Sequence, residues 1–313
     1  MTDRWDPEMR AAREAMDAAA AKLPPVVLTP PFGSSRMVNE QLAMLYGHGG
    51  PAMAESSDKW VAVRGRRVLC RVHRPQSNVR SPVLVWFHGG GWVFQSVDSH
   101  DRLVREYAAA SGMAVVSVDY ALAPEARFPV AVEECAEVVW ALAGVNWGVD
   151  TSRIVLGGDS AGGNLALAAA LLLRDTAGPA LRGILTPYPV TDTDFASPSY
   201  LEFAEGFGLT AAAMRAYWAL YLRDDADRRN PLAAPLRGEM AGLPPTFIQL
   251  AELDVLRSDG ERMAAKMRAG GVDVTLTTYP GMLHGFMRLT EAVAISRQAV
   301  ADAAAWLRGV SGV

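Results

Sequence analysis

The chain has 313 residues, half of them apolar and a fifth charged, and its formal net charge at pH 7 is −4. This composition is typical of a soluble globular protein with a sizeable core, and it excludes a disordered chain. The chain has no basic excess for binding nucleic acid. Its longest apolar run, residues 165–173, is too short to span a membrane.

The N-terminal residues and the two cysteines bear on the compartment and on metal binding. Residues 1–6 contain acidic side chains and no apolar segment of the kind found in secretion signals, so we expect a cytoplasmic protein. The two cysteines, Cys70 and Cys135, fall on apolar faces and form no C-x-x-C pair. We therefore expect structural thiols with no metal or redox role, and the sequence leaves a homodimer open.

Residues 1–50 have a helical pattern rather than a strand pattern. An apolar stripe at helical spacing is followed by a Pro-rich break and a second helical pattern around Val38, Leu42 and Leu45; the stripe consists of Met9, Ala12, Met16, Ala19 and Leu23. We interpret this segment as the N-terminal part of a helical cap.

From about residue 60 onward, apolar β-rich runs alternate with helical patterns. A hairpin around Gly65 comes first, and the predicted strands are residues 60–64, 67–74, 83–87, 114–119, 154–157, 183–185, 246–253 and 274–279. The predicted helices are residues 99–110, 130–143, 161–175, 257–269 and 291–308. This order predicts an α/β protein with an open, mostly parallel sheet that is covered by helices.

Residues 191–235 interrupt this alternation and contain a predicted helix at 210–222. Such an insertion is either surface decoration or a lid, and we favour a lid because long excursions at strand ends usually build pockets. The predicted organisation is a catalytic domain of residues 51–190 and 236–313, with residues 1–50 and 191–235 as two parts of one cap.

The strongest chemical signal is the glycine-rich turn at residues 157–163, which lies directly between a strand and a helix. It contains Gly158-Asp159-Ser160-Ala161-Gly162, a G-x-S-x-G pattern in the strand–turn–helix context that a nucleophile elbow needs. The alternative is a glycine-rich turn with an incidental serine. We predict that Ser160 is a nucleophile, with the N-terminus of the next helix available to stabilise an oxyanion.

A second glycine-rich turn follows the strand at 83–87, in His88-Gly89-Gly90-Gly91. Consecutive glycines let backbone N–H groups approach a ligand closely. We predict an oxyanion hole that is formed by the N–H groups of Gly89, Gly90 and Ala161. His88 is expected to order this loop rather than to act as a base.

A serine nucleophile needs an imidazole base and a carboxylate that orients it. His284, in the loop after the last strand, has the position and chain order of the base, whereas His73 is expected on the exposed face of its strand. Asp254 ends the strand at 246–253 and is the predicted acid; Glu252 is a weaker rival, and Asp259 is expected to cap the following helix.

These motifs together resemble the hormone-sensitive-lipase family of α/β-hydrolases, in its bacterial carboxylesterase branch. The resemblance covers roughly residues 60–310 and is carried by residues 88–92, 119–125, 158–163, 254–259 and 284–285. It implies an eight-stranded sheet, a two-part helical cap and ester hydrolysis without a cofactor, and it supports Asp254 over Asp259. The chain departs from the family at Ala121, where arginine is usual, and at Val255, where proline is usual.

The predicted function is that of a serine carboxylesterase acting through an acyl-enzyme on a small ester with a short to medium acyl chain. Tyr188 and Leu209 are the residues we expect to line the substrate pocket. An amidase or lactonase with the same triad is one alternative. A non-catalytic small-ligand receptor on a hydrolase scaffold is the other.

Overall fold

The computed structural model describes residues 4–313, and their strands form one eight-stranded sheet. The strands are β1 (Glu55–Val63), β2 (Arg66–Arg74), β3 (Ser81–Phe87), β4 (Ala114–Asp119), β5 (Val149–Gly158), β6 (Leu181–Pro187), β7 (Thr246–Leu253) and β8 (Val274–Leu283). Their order across the sheet is β1-β2-β4-β3-β5-β6-β7-β8. Strand β2 pairs antiparallel with β1 and β4, and the other neighbours are parallel, which confirms the predicted α/β fold.

Helices cover this sheet, and the first and last elements of the chain are helices. They are α1 (Pro7–Ala20), α2 (Gly33–Ala43), α3 (Asp101–Ser111), α4 (Val130–Leu142), α5 (Ala161–Asp175), α6 (Pro198–Glu202), α7 (Ala211–Tyr221), α8 (Arg257–Ala269) and α9 (Ala294–Ser311). Their caps follow from the sequence: the Asp6 carboxylate accepts the N–H groups of Glu8 and Met9, and Gly112 ends α3 in a left-handed conformation.

Several strands are longer than the sequence pattern predicted. Strand β1 begins at Glu55 rather than at residue 60, because its first half alternates polar and half-buried positions on an edge of the sheet. Strand β8 runs to Leu283 rather than to residue 279, so His284 is the first residue of the turn that follows the strand. Strands β4 and β7 have the predicted bounds.

The sheet positions the chemistry because parallel strands end at one common edge. Every residue of β3 is buried, as expected of a central strand with helices on both faces. The next residue after β3 is His88, and Asp254 and His284 directly follow β7 and β8 at the same edge. Ser160 lies two residues beyond β5.

The two segments predicted as a cap are largely helical and pack against this edge. The Asp6 N–H donates to the Gly281 carbonyl at 3.1 Å, which ties the start of α1 to β8. In α7, the Tyr221 ring stacks on Trp92 with centroids 4.3 Å apart. The apolar stripe predicted around α2 is only partly buried, since Val38 is covered but Leu45, beyond the end of α2, is 45 % exposed. The domain boundaries remain predictions.

Both cysteine thiols lie inside the protein. Burial raises the pKa of the Cys70 thiol to about 12, and the Cys135 thiol is also buried. Within residues 4–313, no helix combines the length and hydrophobicity needed to cross a bilayer.

Candidate active site

Ser160 lies in a strained turn between β5 and α5. Its φ is +57° and its ψ is −119°, a conformation that non-glycine residues rarely adopt. The glycines on either side are required by contact with β3: a Cβ on Gly162 would lie 1.9 Å from the Phe87 carbonyl oxygen, and one on Gly158 would lie 2.5 Å from it. The G-x-S-x-G spacing is therefore a packing requirement of this turn.

His284 connects the serine to a carboxylate. Its Nε2 lies 2.9 Å from Ser160 Oγ, and its Nδ1 lies 2.7 Å from Asp254 Oδ2. The Asp254 side chain is 1 % exposed, and its second oxygen accepts the N–H of Leu256 at 3.0 Å. The carboxylate accepts from Nδ1–H, so Nε2 is left as the acceptor for the serine hydroxyl proton.

The other two acidic residues of this segment are used elsewhere. Asp259 does not cap α8, as the sequence predicted; its Oδ2 accepts the N–H groups of Thr191 and Asp192, at 2.9 and 3.2 Å. Burial raises the pKa of Asp259 to about 7 despite these hydrogen bonds. Glu252 accepts the Gly281 N–H at 2.8 Å and pairs with Arg4 at the surface.

The structure corrects one member of the predicted oxyanion hole. The Gly89 N–H donates to Asp159 Oδ1 at 3.0 Å, so it is not available to a substrate. Within residues 4–313, the N–H groups of Gly90, Gly91 and Ala161 have no acceptor. The glycine motif alone does not show that the carboxylate before the nucleophile bonds the first of the three glycines, so Gly91 rather than Gly89 has a free N–H beside that of Gly90 among residues 4–313.

Asp159 and two histidines hold this glycine loop. The His100 Nε2 lies 3.1 Å from Asp159 Oδ1. Burial alone would raise the pKa of Asp159, but the charge and hydrogen bond of His100 lower it to about 2. His88 Nδ1–H donates to the Gly89 carbonyl at 2.7 Å, and burial together with the charge of His100 lowers the pKa of His88 to about 3. His88 is thus a neutral, ordering residue.

A cavity of about 110 Å³ opens above Ser160. Leu209, which the sequence predicted for the pocket, lies in its wall together with residues that the sequence did not predict, which are Asn39, Phe94, Gln95, Val190, Met214, Tyr217 and Arg288. These residues come from five separate segments, and no local motif marks them. Only the folded chain brings them together.

Tyr188 does not line this cavity, which corrects the second pocket prediction. The side chain is fully buried, and its ring centroid lies 4.7 Å from that of His284 and 5.7 Å from that of Phe286. Its φ of +36° turns the chain sharply after β6. Tyr188 therefore supports the imidazole from behind instead of contacting the substrate.

The two departures from the family pattern are accommodated by backbone contacts. The Ala121 N–H donates to Glu134 Oε2 at 2.9 Å, and Arg66 pairs with the same buried carboxylate. The Val255 carbonyl accepts the Ser199 hydroxyl at 2.5 Å. An acid at position 134 thus anchors this loop although residue 121 has no charged side chain.

The sheet order and the elbow serine beside a histidine define an α/β-hydrolase. Residues 84–288 match the family model described as "alpha/beta hydrolase fold". Over 235 residues the chain is 38 % identical to the carboxylesterase NlhH of Mycobacterium tuberculosis, which covers 72 % of this chain and 73 % of that protein. It is 31 % identical over 295 residues to an ethyl acetate hydrolase of Pseudomonas putida, covering 91 % and 92 % of the two chains.

Solved structures agree with these sequence relatives. The fold superposes on a hyperthermophilic esterase from Pyrobaculum calidifontis with a TM-score of 0.91, at 32 % identity and 99 % coverage of both chains. A thermostable esterase from Pseudomonas putida gives a TM-score of 0.91 at 33 % identity, with 98 % of this chain and 99 % of that chain covered. The chain belongs to the α/β-hydrolase family, in the hormone-sensitive-lipase-like carboxylesterase group, which confirms the resemblance seen in its motifs.

Proposed function

We propose that this protein is a serine carboxylesterase in which Ser160 is the nucleophile, His284 the general base and acid, and Asp254 the residue that orients the imidazole. One observation carries the proposal: an unbroken line of hydrogen bonds runs from Ser160 Oγ through His284 to Asp254. At its Ser160 end, this line lies beside backbone N–H groups that have no acceptor among residues 4–313. The esterase relatives support the reaction class.

The reaction follows from this geometry. Ser160 Oγ attacks the ester carbonyl carbon while His284 Nε2 takes the hydroxyl proton, and Asp254 stabilises the imidazolium that results. His284 then gives the proton to the alcohol oxygen as the carbon–oxygen bond breaks, which leaves an acyl-enzyme on Ser160. Water, deprotonated by His284, attacks the acyl carbon and releases the carboxylic acid.

The N–H groups of Gly90, Gly91 and Ala161 are the donors we assign to the oxyanion. Donors that are fixed before the reaction stabilise developing charge without reorganising, and each one is worth about 10²–10³ in kcat. The bond from the Gly89 N–H to Asp159 fixes the start of this loop, so Asp159 is a positioning residue for the donors that follow.

The cavity supports a short acyl chain. Its volume of about 110 Å³ is smaller than that of an engineered ~150 Å³ cavity that binds benzene, so a long acyl chain does not fit inside it. Each methylene that fits contributes about 0.8 kcal/mol to binding, and the sign reverses once the chain meets the wall. The cap segments, 1–50 and 191–235, supply this wall through Asn39, Leu209, Met214 and Tyr217. The proposed cytoplasmic location rests on the sequence alone, which leaves a homodimer open.

A series of dissolved p-nitrophenyl esters tests this function. We expect the highest kcat/KM for the acetate or butyrate and a steep fall by the decanoate, with no activation by emulsified triglyceride. Matched p-nitroanilides and small lactones separate the amidase and lactonase alternatives. Absence of ester turnover in folded protein would favour a receptor, and faster hydrolysis of emulsified long-chain triglyceride than of dissolved butyrate would make the protein a lipase.

A further inference from the structure

One cation faces the cavity beside His284. Arg288 is half-buried and ends the short helical turn Phe286–Arg288, which begins two residues after the histidine. Its side chain lies over the intervening glycine, because a Cβ on Gly285 would be 3.9 Å from Arg288 Nη2. Arg288 lines the cavity together with Ser160 and His284.

Within the part of the chain that the structure describes, the guanidinium of Arg288 has no acidic partner. Among residues 4–313, no carboxylate oxygen lies within 4.0 Å of its nitrogens, and none of its N–H groups makes a hydrogen bond. Arg257, which lies behind the same edge of the sheet, instead pairs with Glu202 at 3.1 Å and bonds the Glu252 carbonyl. A guanidinium cannot lose its proton at neutral pH, and partial burial without a counter-ion costs stability. A half-buried charge without a partner is typical of a side chain that binds a ligand.

The negative charges nearby are already engaged. Asp254 is bonded to His284 and to the Leu256 N–H, and Asp159 is bonded to the Gly89 N–H and lies against His100. The positive charge of Arg288 helps to lower the pKa of Asp159, so its field reaches the floor of the cavity. The guanidinium N–H groups of Arg288 are therefore available to bind a substrate.

The position of Arg288 indicates which part of the ester it meets. In the mechanism proposed above, His284 Nε2 protonates the leaving alcohol, so the alcohol part lies on the histidine side of Ser160. The oxyanion donors hold the carbonyl oxygen from the loop after β3. Because Arg288 lies against the histidine segment, it faces the alcohol part rather than the carbonyl oxygen.

We propose that the natural substrate is the ester of a hydroxy acid: its alcohol part carries a carboxylate, and Arg288 binds that carboxylate. The inference rests on the proposed ester hydrolysis. A planar guanidinium matches a carboxylate through two parallel N–H···O bonds, which gives orientation as well as affinity. The group binds substrate and transition state alike, so its effect belongs mainly in KM.

The test compares two acetate esters that differ in one charge, 4-acetoxybenzoate and 4-acetoxybenzamide. The measured quantity is the ratio of their kcat/KM values, in wild type, Arg288→Gln, Arg288→Lys and the matched control Arg257→Gln. Comparing the ratio between variants cancels the intrinsic difference in leaving-group reactivity. We expect Arg288→Gln to lower the ratio roughly 10- to 100-fold, Arg288→Lys to lower it less, and Arg257→Gln to leave it unchanged.

Added salt sharpens the result, because screening should reduce the wild-type ratio and leave the Arg288→Gln ratio almost constant. If Arg288→Gln lowers kcat/KM for both esters by the same factor, the ratio stays constant and the proposal is overturned. Wild-type turnover of the neutral amide ester tests ester hydrolysis separately. If the wild-type protein hydrolyses neither 4-acetoxybenzoate nor 4-acetoxybenzamide, the proposed function is overturned, and this inference with it.

Discussion

Two Ser–His–Asp arrangements occur in this chain, and only one lies at the strand ends. The second joins β1, β2 and α3: Ser56 Oγ lies 2.8 Å from His73 Nδ1, and His73 Nε2 lies 3.1 Å from Asp101 Oδ1. By distance alone it resembles the arrangement of Ser160, His284 and Asp254.

The surroundings separate the two arrangements. Ser56 lies within the extended edge strand β1, directly across from His73 on β2, whereas Ser160 stands in a strained turn at a helix N-terminus. His73 Nε2 makes no hydrogen bond among residues 4–313, and the Asp101 carboxylate accepts one from Arg105 Nε at 2.8 Å. Three residue types at short distances are therefore insufficient without a nucleophile in such a strained turn and N–H donors for the oxyanion.

The largest expected difference is between the two serines. Ser160→Ala should lower kcat for p-nitrophenyl butyrate by about 10⁶, because a triad acts as a unit once its nucleophile is lost. Ser56→Ala, the matched control, should leave kcat within threefold of wild type. Purified Ser160→Ala with more than a tenth of wild-type activity would reject the assigned nucleophile.

The carboxylates of Asp254 and Asp101, each close to a histidine, give the next largest difference. Asp254→Asn should lower kcat by roughly 10⁴, since the amide favours the wrong imidazole tautomer. Asp101→Asn, measured beside it with the same ester, should affect stability rather than turnover, because Asp101 pairs with Arg105 and Arg71 far from Ser160. Equal losses in the two variants would remove the distinction between the sites.

A smaller effect concerns Asp259, the other buried aspartate after β7. It distinguishes a carboxyl group that is merely buried from Asp254, the carboxylate assigned to catalysis. Its pKa, raised to about 7 in the folded state, means that folding favours the protonated form. Its stabilising contribution is therefore complete below about pH 4 and is lost as the pH rises to about 7, by at most about 4 kcal/mol.

Asp259→Asn stays neutral and keeps an acceptor for the two N–H groups. Urea unfolding at pH 5 and pH 8 should show the variant gaining stability relative to wild type as the pH rises. A constant difference between the two proteins across this range would contradict the raised pKa. Loss of ester turnover in Asp259→Asn would instead return Asp259 to the candidate acids.

The sequence was sufficient for the parts of the site that local motifs encode. Ser160 was predictable from a strand, a glycine-rich turn and a helix in direct succession. His284 and Asp254 were predictable because each follows a strand of a parallel sheet. Contacts between distant segments were not predictable in this way. The bond from Gly89 to Asp159 spans 70 positions, and it shifts the free donors by one glycine.

Burial was the other source of error. Alternation along β2 placed the His73 side chain on an exposed face, yet α3 covers that face and leaves His73 only 1 % exposed. Tyr188 was expected in the pocket because it follows a strand, but its positive φ turns the ring behind His284. Arg288 belongs to no motif. It is recognised only by its position beside the cavity, without an acidic partner among residues 4–313.

Covalent labelling tests the central claim most directly, because it asks which serine reacts. The protein would be treated with a p-nitrophenyl phosphonate ester, a tetrahedral mimic of the acyl-transfer intermediate, and its peptides mapped by mass spectrometry. We predict one adduct, on the peptide containing Ser160, with stoichiometric release of p-nitrophenol and parallel loss of esterase activity. An adduct on Ser56, or full loss of activity with Ser160 unmodified, would contradict the account.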